Sequence, residues 1–203
     1  MDDLVVIALF RHGLTEENKR KAYLGWSDSP LCPTSIDNSQ MRMYDCYFSS
    51  DLTRCILTGK MLFPQAVPIR LKEFRELNFG QWEGKTYEDL KHDSLYQYWL
   101  TAPERFSPPN GESYLEFIHR VEAGWNTVIE KILSGPFKSA AIITHGGPIK
   151  FLLSKFAPVK KEFWSWQVPH DQGFELIFKR EQLRRGERCI SLQEVPLTVK
   201  RHG

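Results

Sequence analysis

The chain has 203 residues, enough to bury one substantial core, so one compact domain spanning 1–203 is expected. Acids and bases almost balance at a formal net charge of +2 with no long block of one sign, which argues against nucleic acid as the main partner. The apolar run Leu4 to Phe10 follows two aspartates and is too short for a signal core or a membrane span, so a cytoplasmic protein with no membrane partner is expected.

Leu4-Val5-Val6-Ile7-Ala8-Leu9-Phe10 is continuous and rich in β-branched residues, the pattern of a strand buried on both faces. Cys46-Tyr47-Phe48-Ser49 predicts a second strand. It leads through Ser50-Asp51 into a helix carrying Leu52, Cys55, Ile56, Met61 and Leu62, with Asp51 as its N-cap. From about residue 64 to residue 112 the pattern is irregular, aromatic and proline-containing, an insertion over the sheet with short helices near Thr86–Lys91 and Leu95–Leu100. Ser113-x-x-Glu116 is a capping box for a helix bearing Leu115, Ile118, Val121, Trp125, Val128 and Ile132, which Gly135-Pro136 ends.

Ala140 to Thr144 predicts another buried strand, followed by the turn His145-Gly146-Gly147 and a helix that Pro148 helps to start. Phe174 to Phe178 predicts a strand paired with Cys189 to Leu192 across Arg184-Arg185-Gly186-Glu187. Four cysteines, Cys32, Cys46, Cys55 and Cys189, include no close C-x-x-C pair and read as reduced thiols. The expected class is α/β: a three-layer sandwich with a mostly parallel central sheet, helices on both faces, an antiparallel edge strand and the irregular insertion.

In open α/β sheets ligands bind beyond the carboxyl ends of parallel strands. Three strands here run into polar turns: Arg11-His12-Gly13, Ser49-Ser50-Asp51 with Arg54 one helical turn on, and His145-Gly146-Gly147. If the three are parallel neighbours, two imidazoles, two guanidiniums and glycine N–H groups share one edge. That set suits a dense anion, above all a phosphoryl group. Each residue alone reads equally well as a hydrogen-bonded loop histidine or a solvated arginine; the repetition after three strands is what points to a site.

Six ordered blocks resemble the histidine phosphatase superfamily, also called phosphoglycerate mutase-like. They are Arg11-His12-Gly13-x-Thr15-x-x-Asn18, Gly25-x-x-Asp28-x-Pro30-Leu31, Ser49-Ser50-Asp51-Leu52-x-Arg54, Glu76-x-x-Phe79-Gly80-x-Trp82-Glu83-Gly84, Gly111-Glu112-Ser113 and Thr144-His145-Gly146. The resemblance implies two-step phosphoryl transfer. His12 would attack phosphorus as neutral imidazole, kept unprotonated by Arg11 and Arg54. Arg11, Arg54, His145 and the N–H of Gly146 would clamp the transition-state charge, with Gly13, Thr15 and Asn18 around the phosphate. Glu76 would protonate the leaving alkoxide and then take a proton from water, with Glu73, Glu83 and Glu112 as rivals. No metal or other cofactor is implied.

Leu14 stands where members often have Glu, and Pro33-Thr34-Ser35 replaces a common Thr-x-x-Gly, which bears on the helix expected after residue 33. Related mutases usually carry Glu-Arg-His-Tyr-Gly where this chain has Glu76-Leu77-Asn78-Phe79-Gly80, so it looks more like the small broad-specificity and α-ribazole phosphatases. Hydrolysis of a small phosphomonoester is the expectation, with a phosphoglycerate mutase-type transferase or a non-catalytic phospho-ligand binder as alternatives. Tyr23, Trp26, Phe79, Trp82 and Trp99 either line an apolar mouth or form a core, with Tyr23 and Trp82 as the expected substrate contacts. Lys19-Arg20-Lys21 reads as a solvated face and His170-Asp171-Gln172-Gly173 as a polar turn. The second Arg-His-Gly, Arg201-His202-Gly203, has no strand or partner block and reads as a fraying tail.

Overall fold

The structure is a computed structural model describing residues 3–37 and 41–201, with only the backbone described for 34–37 and 198–201. Its strands are β1 (Leu4–Arg11), β2 (Thr34–Asp37), β3 (Cys46–Ser49), β4 (Ile69–Arg70), β5 (Ser139–Thr144), β6 (Gln172–Lys179), β7 (Ser191–Pro196) and β8 (Thr198–Arg201). The α-helices are α1 (Glu16–Lys19), α2 (Thr53–Leu62), α3 (Tyr87–Leu90), α4 (Ser94–Thr101), α5 (Tyr114–Ser134), α6 (Gly146–Phe156) and α7 (Arg180–Arg184). One six-stranded sheet has the order β4-β3-β5-β1-β6-β7, and β2 pairs with β8 in a separate ribbon.

The N-terminal apolar run is continuous because β1 lies inside the sheet and serves two cores. Val5, Ile7 and Leu9 meet Phe48, Ile142, Leu176 and the buried faces of α5 and α6. Val6, Ala8 and Phe10 point the other way, into a cluster with Ile143 and with Cys55 and Leu62 of α2. Helices thus cover both faces of the sheet, as the sequence predicts.

β1, β3, β4 and β5 pair in parallel, whereas β6 runs antiparallel beside β1 and β7 antiparallel beside β6. The antiparallel part is therefore two strands deep rather than a single edge strand. Its connection contains the short helix α7, closed by Gly186 at a φ of +68. The Ser113 hydroxyl accepts from the Glu116 N–H while the Glu116 carboxylate accepts from the Ser113 N–H, so α5 opens on the expected capping box. Its buried stripe begins at Phe117; Leu115 lies off that stripe and is exposed. Both short helices of the insertion form, with Trp82, Leu90, Tyr96 and Trp99 clustered between them.

Three local expectations are corrected. Asp51 does not cap α2: the helix starts at Thr53, whose N–H donates to Asp28 at 3.1 Å, while Asp51 forks onto Arg75 at 2.7 and 2.6 Å. A bidentate ion pair outcompetes a neutral cap for the same carboxylate. After Pro33 the chain forms β2 instead of a helix, in keeping with β-branched Thr34 and Ile36. β8 pairs with it, so residues 198–201 belong to a strand rather than a fraying tail; His202 and Gly203 lie outside the described residues. All four cysteines are buried and unpaired. No helix among the described residues is long and apolar enough to cross a membrane.

Candidate active site

Parallel pairing brings the strand ends level, since Arg11 is in register with Thr144 and Ser49 with Ile143. Each chain leaves the sheet on one further bond, from the His12 N–H to the Thr144 carbonyl and from the Ser50 N–H to the Ile143 carbonyl, both 2.9 Å. His12, Arg54 and His145 are consequently side by side, with imidazole centroids 5.0 Å apart. His12 is 3% exposed, and its Nδ1 lies 2.8 Å from the Gly13 carbonyl. A carbonyl only accepts, so Nδ1 carries the proton and Nε2 keeps its lone pair. The Gly13 N–H is held by the Thr58 hydroxyl at 2.9 Å, which fixes the turn behind the ring.

Arg54 is fully buried in α2. Its Nη1 donates to the Ser27 carbonyl at 2.7 Å and its Nη2 to the Gly25 carbonyl at 2.5 Å, with Asp28 at 3.5 Å. Its Nε donates to His145 Nδ1 at 3.3 Å, so His145 is protonated at Nε2, which donates to the Ser50 hydroxyl at 3.0 Å. Arg11 donates from Nη1 to the Val168 carbonyl at 2.5 Å, while its Nε is buried without a partner. A buried orphan donor is uncommon and is open to a ligand oxygen. Gly146, the first residue of α6, lies against the same guanidinium, and its N–H belongs to the first turn, where no intrahelical acceptor exists.

Burial holds the His12 pKa well below the usual imidazole value, and Arg54, Arg11 and His170 push it in the same direction. His145 is lowered likewise, first by burial, then by Arg54, His12 and Arg11. Both rings are therefore neutral at neutral pH. Burial also lowers the Arg11 pKa, partly offset by Glu76, but the guanidinium stays charged at neutral pH.

Glu76 reaches the site from the insertion. Its carboxylate accepts from the Gly147 N–H and the Leu77 N–H, both at 2.9 Å. A Cβ on residue 147 would collide with that carboxylate, so glycine here is a condition of its approach. The loop beneath is gathered by Arg120 of α5, which donates to the carbonyls of Glu73, Arg75 and Glu76 at 2.8, 3.1 and 3.2 Å. Glu112 fixes Arg120 with two bonds of 2.7 Å. Arg11, Glu76, Gly146 and Gly147 line one end of a cavity of about 330 Å³, walled by Tyr23, Phe79, Trp99 and Trp164.

The remaining predicted residues divide. Thr15 is buried and caps α1 together with Asn18, whose Oδ1 accepts from the Thr15 hydroxyl at 2.9 Å. Tyr23, Phe79 and Trp99 line the cavity, whereas Trp82 does not: it is 1% exposed inside the aromatic cluster and is a core residue. Trp26 lies below the loop, its indole donating to the Glu76 carbonyl at 2.9 Å. Glu83 accepts from the N–H groups of Gly25, Trp26, Ser27 and Phe79, a structural clamp. Lys19 and Arg20 pair with Glu16 and Glu17 on the surface, a solvated face. His170 lies in the polar turn before β6, as expected, and also reaches the site, whereas sequence patterning overlooked Lys150. His170 donates from Nδ1 to the His12 carbonyl at 2.7 Å, with ring centroids 5.2 Å apart. Lys150 lines the cavity one turn along α6 from Gly146. Among the described residues no group of three or more His, Cys, Asp and Glu side chains could hold a metal ion.

A mostly parallel α/β sheet with a buried arginine, a half-buried one and neutral imidazoles at its carboxyl edge offers the donors that an anion bound there would need. Residues 7–184 match the model of the histidine phosphatase superfamily (branch 1), and the chain belongs to that family. It is 27% identical over 177 residues to the adenosylcobalamin/alpha-ribazole phosphatase of Escherichia coli K12, covering 81% of this chain and 85% of that one. It is 26% identical over 166 residues to a phosphoglycerate mutase of Schizosaccharomyces pombe, covering 73% and 77%. The crystal structure of the alpha-ribazole phosphatase from Shigella flexneri superposes with a TM-score of 0.71 at 20% identity, over 85% of this chain and 90% of that one.

Proposed function

We propose that the protein hydrolyses small phosphomonoesters, without a metal, through a phosphohistidine on His12. The observation that carries this reading is the state of His12: buried, neutral and proton-bearing at Nδ1, with the buried Arg54 and the half-buried Arg11 both near enough to lower its pKa. The Nε2 lone pair attacks phosphorus, and the ester oxygen leaves with a proton from Glu76. Glu76, now ionised, takes a proton from water as that water attacks the phosphohistidine, and phosphate and neutral His12 are restored. Arg11 Nε, Arg54 and the Gly146 N–H hold the equatorial oxygens, and His145 Nε2–H turns from Ser50 to join them. The aromatic walls favour a flat or nucleoside-like alcohol, in keeping with the alpha-ribazole phosphatases among the relatives.

Transfer between hydroxyls of a phosphoglycerate is the second reading, because mutases match at nearly the same identity. Both are tested by incubating wild type and His12→Ala with para-nitrophenyl phosphate in EDTA. Wild type releases phosphate, and His12→Ala loses activity by about a thousandfold or more. Net phosphate release excludes a pure mutase. Equal inactivity of both proteins over a panel of monoesters, with phosphate still bound, would make the protein a binder.

A further inference from the structure

Three charged side chains line the cavity: Arg11, Glu76 and Lys150. Glu76 accepts from two backbone N–H groups, and Arg11 donates from Nη1 to the Val168 carbonyl, leaving Nε for the phosphoryl group. Lys150 is half-buried, and among the described residues its ammonium makes no hydrogen bond or ion pair. Burial lowers its pKa, Glu76 raises it, and Arg11 lowers it again, so the ammonium feels both groups at the reacting end. A partly desolvated cation is costly to leave unpaired, and the cavity beside it is the space an anionic partner would fill.

We infer that Lys150 reads a second anionic group on the substrate, a carboxylate or a further phosphate a few bonds from the ester. This rests on the cavity being the site of phosphomonoester hydrolysis. The phosphoryl group lies at the Arg11 and Gly146 end, the body of the alcohol lies between Tyr23, Phe79 and Trp99, and its second charge faces α6. Glu76 lies at the reacting end of the cavity, and Glu104 and Glu162 line an adjoining compartment with Tyr114 and Trp164, where they disfavour an anion. The inner position by Lys150 is thus the favourable one for a negative group. Lys150 is a specificity residue in this account and takes no part in the bond changes at phosphorus.

The test uses binding, so that it survives failure of the hydrolase reading. Calorimetry compares phenylphosphonate, meta-carboxyphenylphosphonate and meta-phenylenediphosphonate on wild type, Lys150→Met and Lys150→Arg. Wild type should bind at least one of the doubly charged ligands about tenfold or more tighter than phenylphosphonate. Lys150→Met should erase that margin while leaving phenylphosphonate affinity within about twofold, and Lys150→Arg should keep most of it. Which of the two ligands gains separates carboxylate from phosphate. A margin that persists in Lys150→Met, equal weakening of all three ligands, or no binding by wild type would overturn the proposal. The matching phosphate esters then report turnover: a binding margin without hydrolysis refutes the hydrolase reading alone, and hydrolysis without a margin refutes the role of Lys150 alone.

Discussion

The sheet edge and the insertion position their parts of the candidate site by opposite means. At the edge the backbone does the placing: β1, β3 and β5 run parallel in register, and His12, Arg54 and His145 follow from where those strands stop. In the insertion, side chains do it. Glu83 collects four backbone N–H groups, Arg120 collects the carbonyls under Glu76, and Asp51 ties Arg75 to the start of α2. The proposed phosphate clamp therefore has the rigidity of a strand ladder, whereas the proposed acid–base carboxylate of Glu76 depends on ionic contacts away from the reacting atoms. Binding and proton transfer should be separable by mutation.

The largest separation is expected at Glu76 itself. Glu76→Gln should lower kcat for an alkyl phosphate by about a hundredfold or more and for para-nitrophenyl phosphate much less, because a good leaving group needs little protonation. Inhibition by inorganic phosphate should change little; equal losses on both esters would remove Glu76 from the acid role. Arg120→Met should show a weaker version. Without its donors the Glu76 loop shifts, so kcat for the alkyl ester should fall by about tenfold while the phosphate inhibition constant stays within about twofold. A parallel loss of phosphate affinity would mean that edge and insertion are one rigid unit.

The smallest effect concerns stability, and it belongs to the edge. His12 and His145 are buried with pKa values well below those of the unfolded chain, so below about pH 6.5 the unfolded state binds more protons than the folded one. Stability contributed by keeping them neutral is complete above that pH and is lost as pH falls toward the folded values. Unfolding free energies from urea titration should decline from about pH 7.5 to about pH 5.5, by at most about 1.4 kcal/mol for each histidine, with a shallower decline in His12→Asn. An equal decline in the variant would place the proton uptake elsewhere.

The same contrast explains what could be read in the sequence. Arg11, His12, Arg54 and His145 were legible because each follows an apolar run, and the end of a buried strand is a local signal. Glu76 was legible only through the resemblance of its block, since nothing local separates it from Glu73, Glu83 or Glu112. What failed depended on long-range partners. Asp51 has the right position to cap α2 and goes to Arg75; Trp82 and Trp99 look alike in sequence and share one aromatic core, yet only Trp99 also walls the cavity. His170 lies in the expected turn, but its contact with His12 arises only because β6 returns antiparallel beside β1. Lys150 appears as one more polar position on α6 until the cavity beside it is known.

The central claim is that His12 carries the phosphoryl group. Rapid acid-free quenching of wild type with a phosphorus-labelled monoester, followed by peptide mapping, should place an acid-labile, alkali-stable phosphate on His12 within the first turnover. Glu76→Gln should hold that label longer, and His12→Ala should show none. Hydrolysis by wild type with no label on His12, or with label on another residue, would contradict the account.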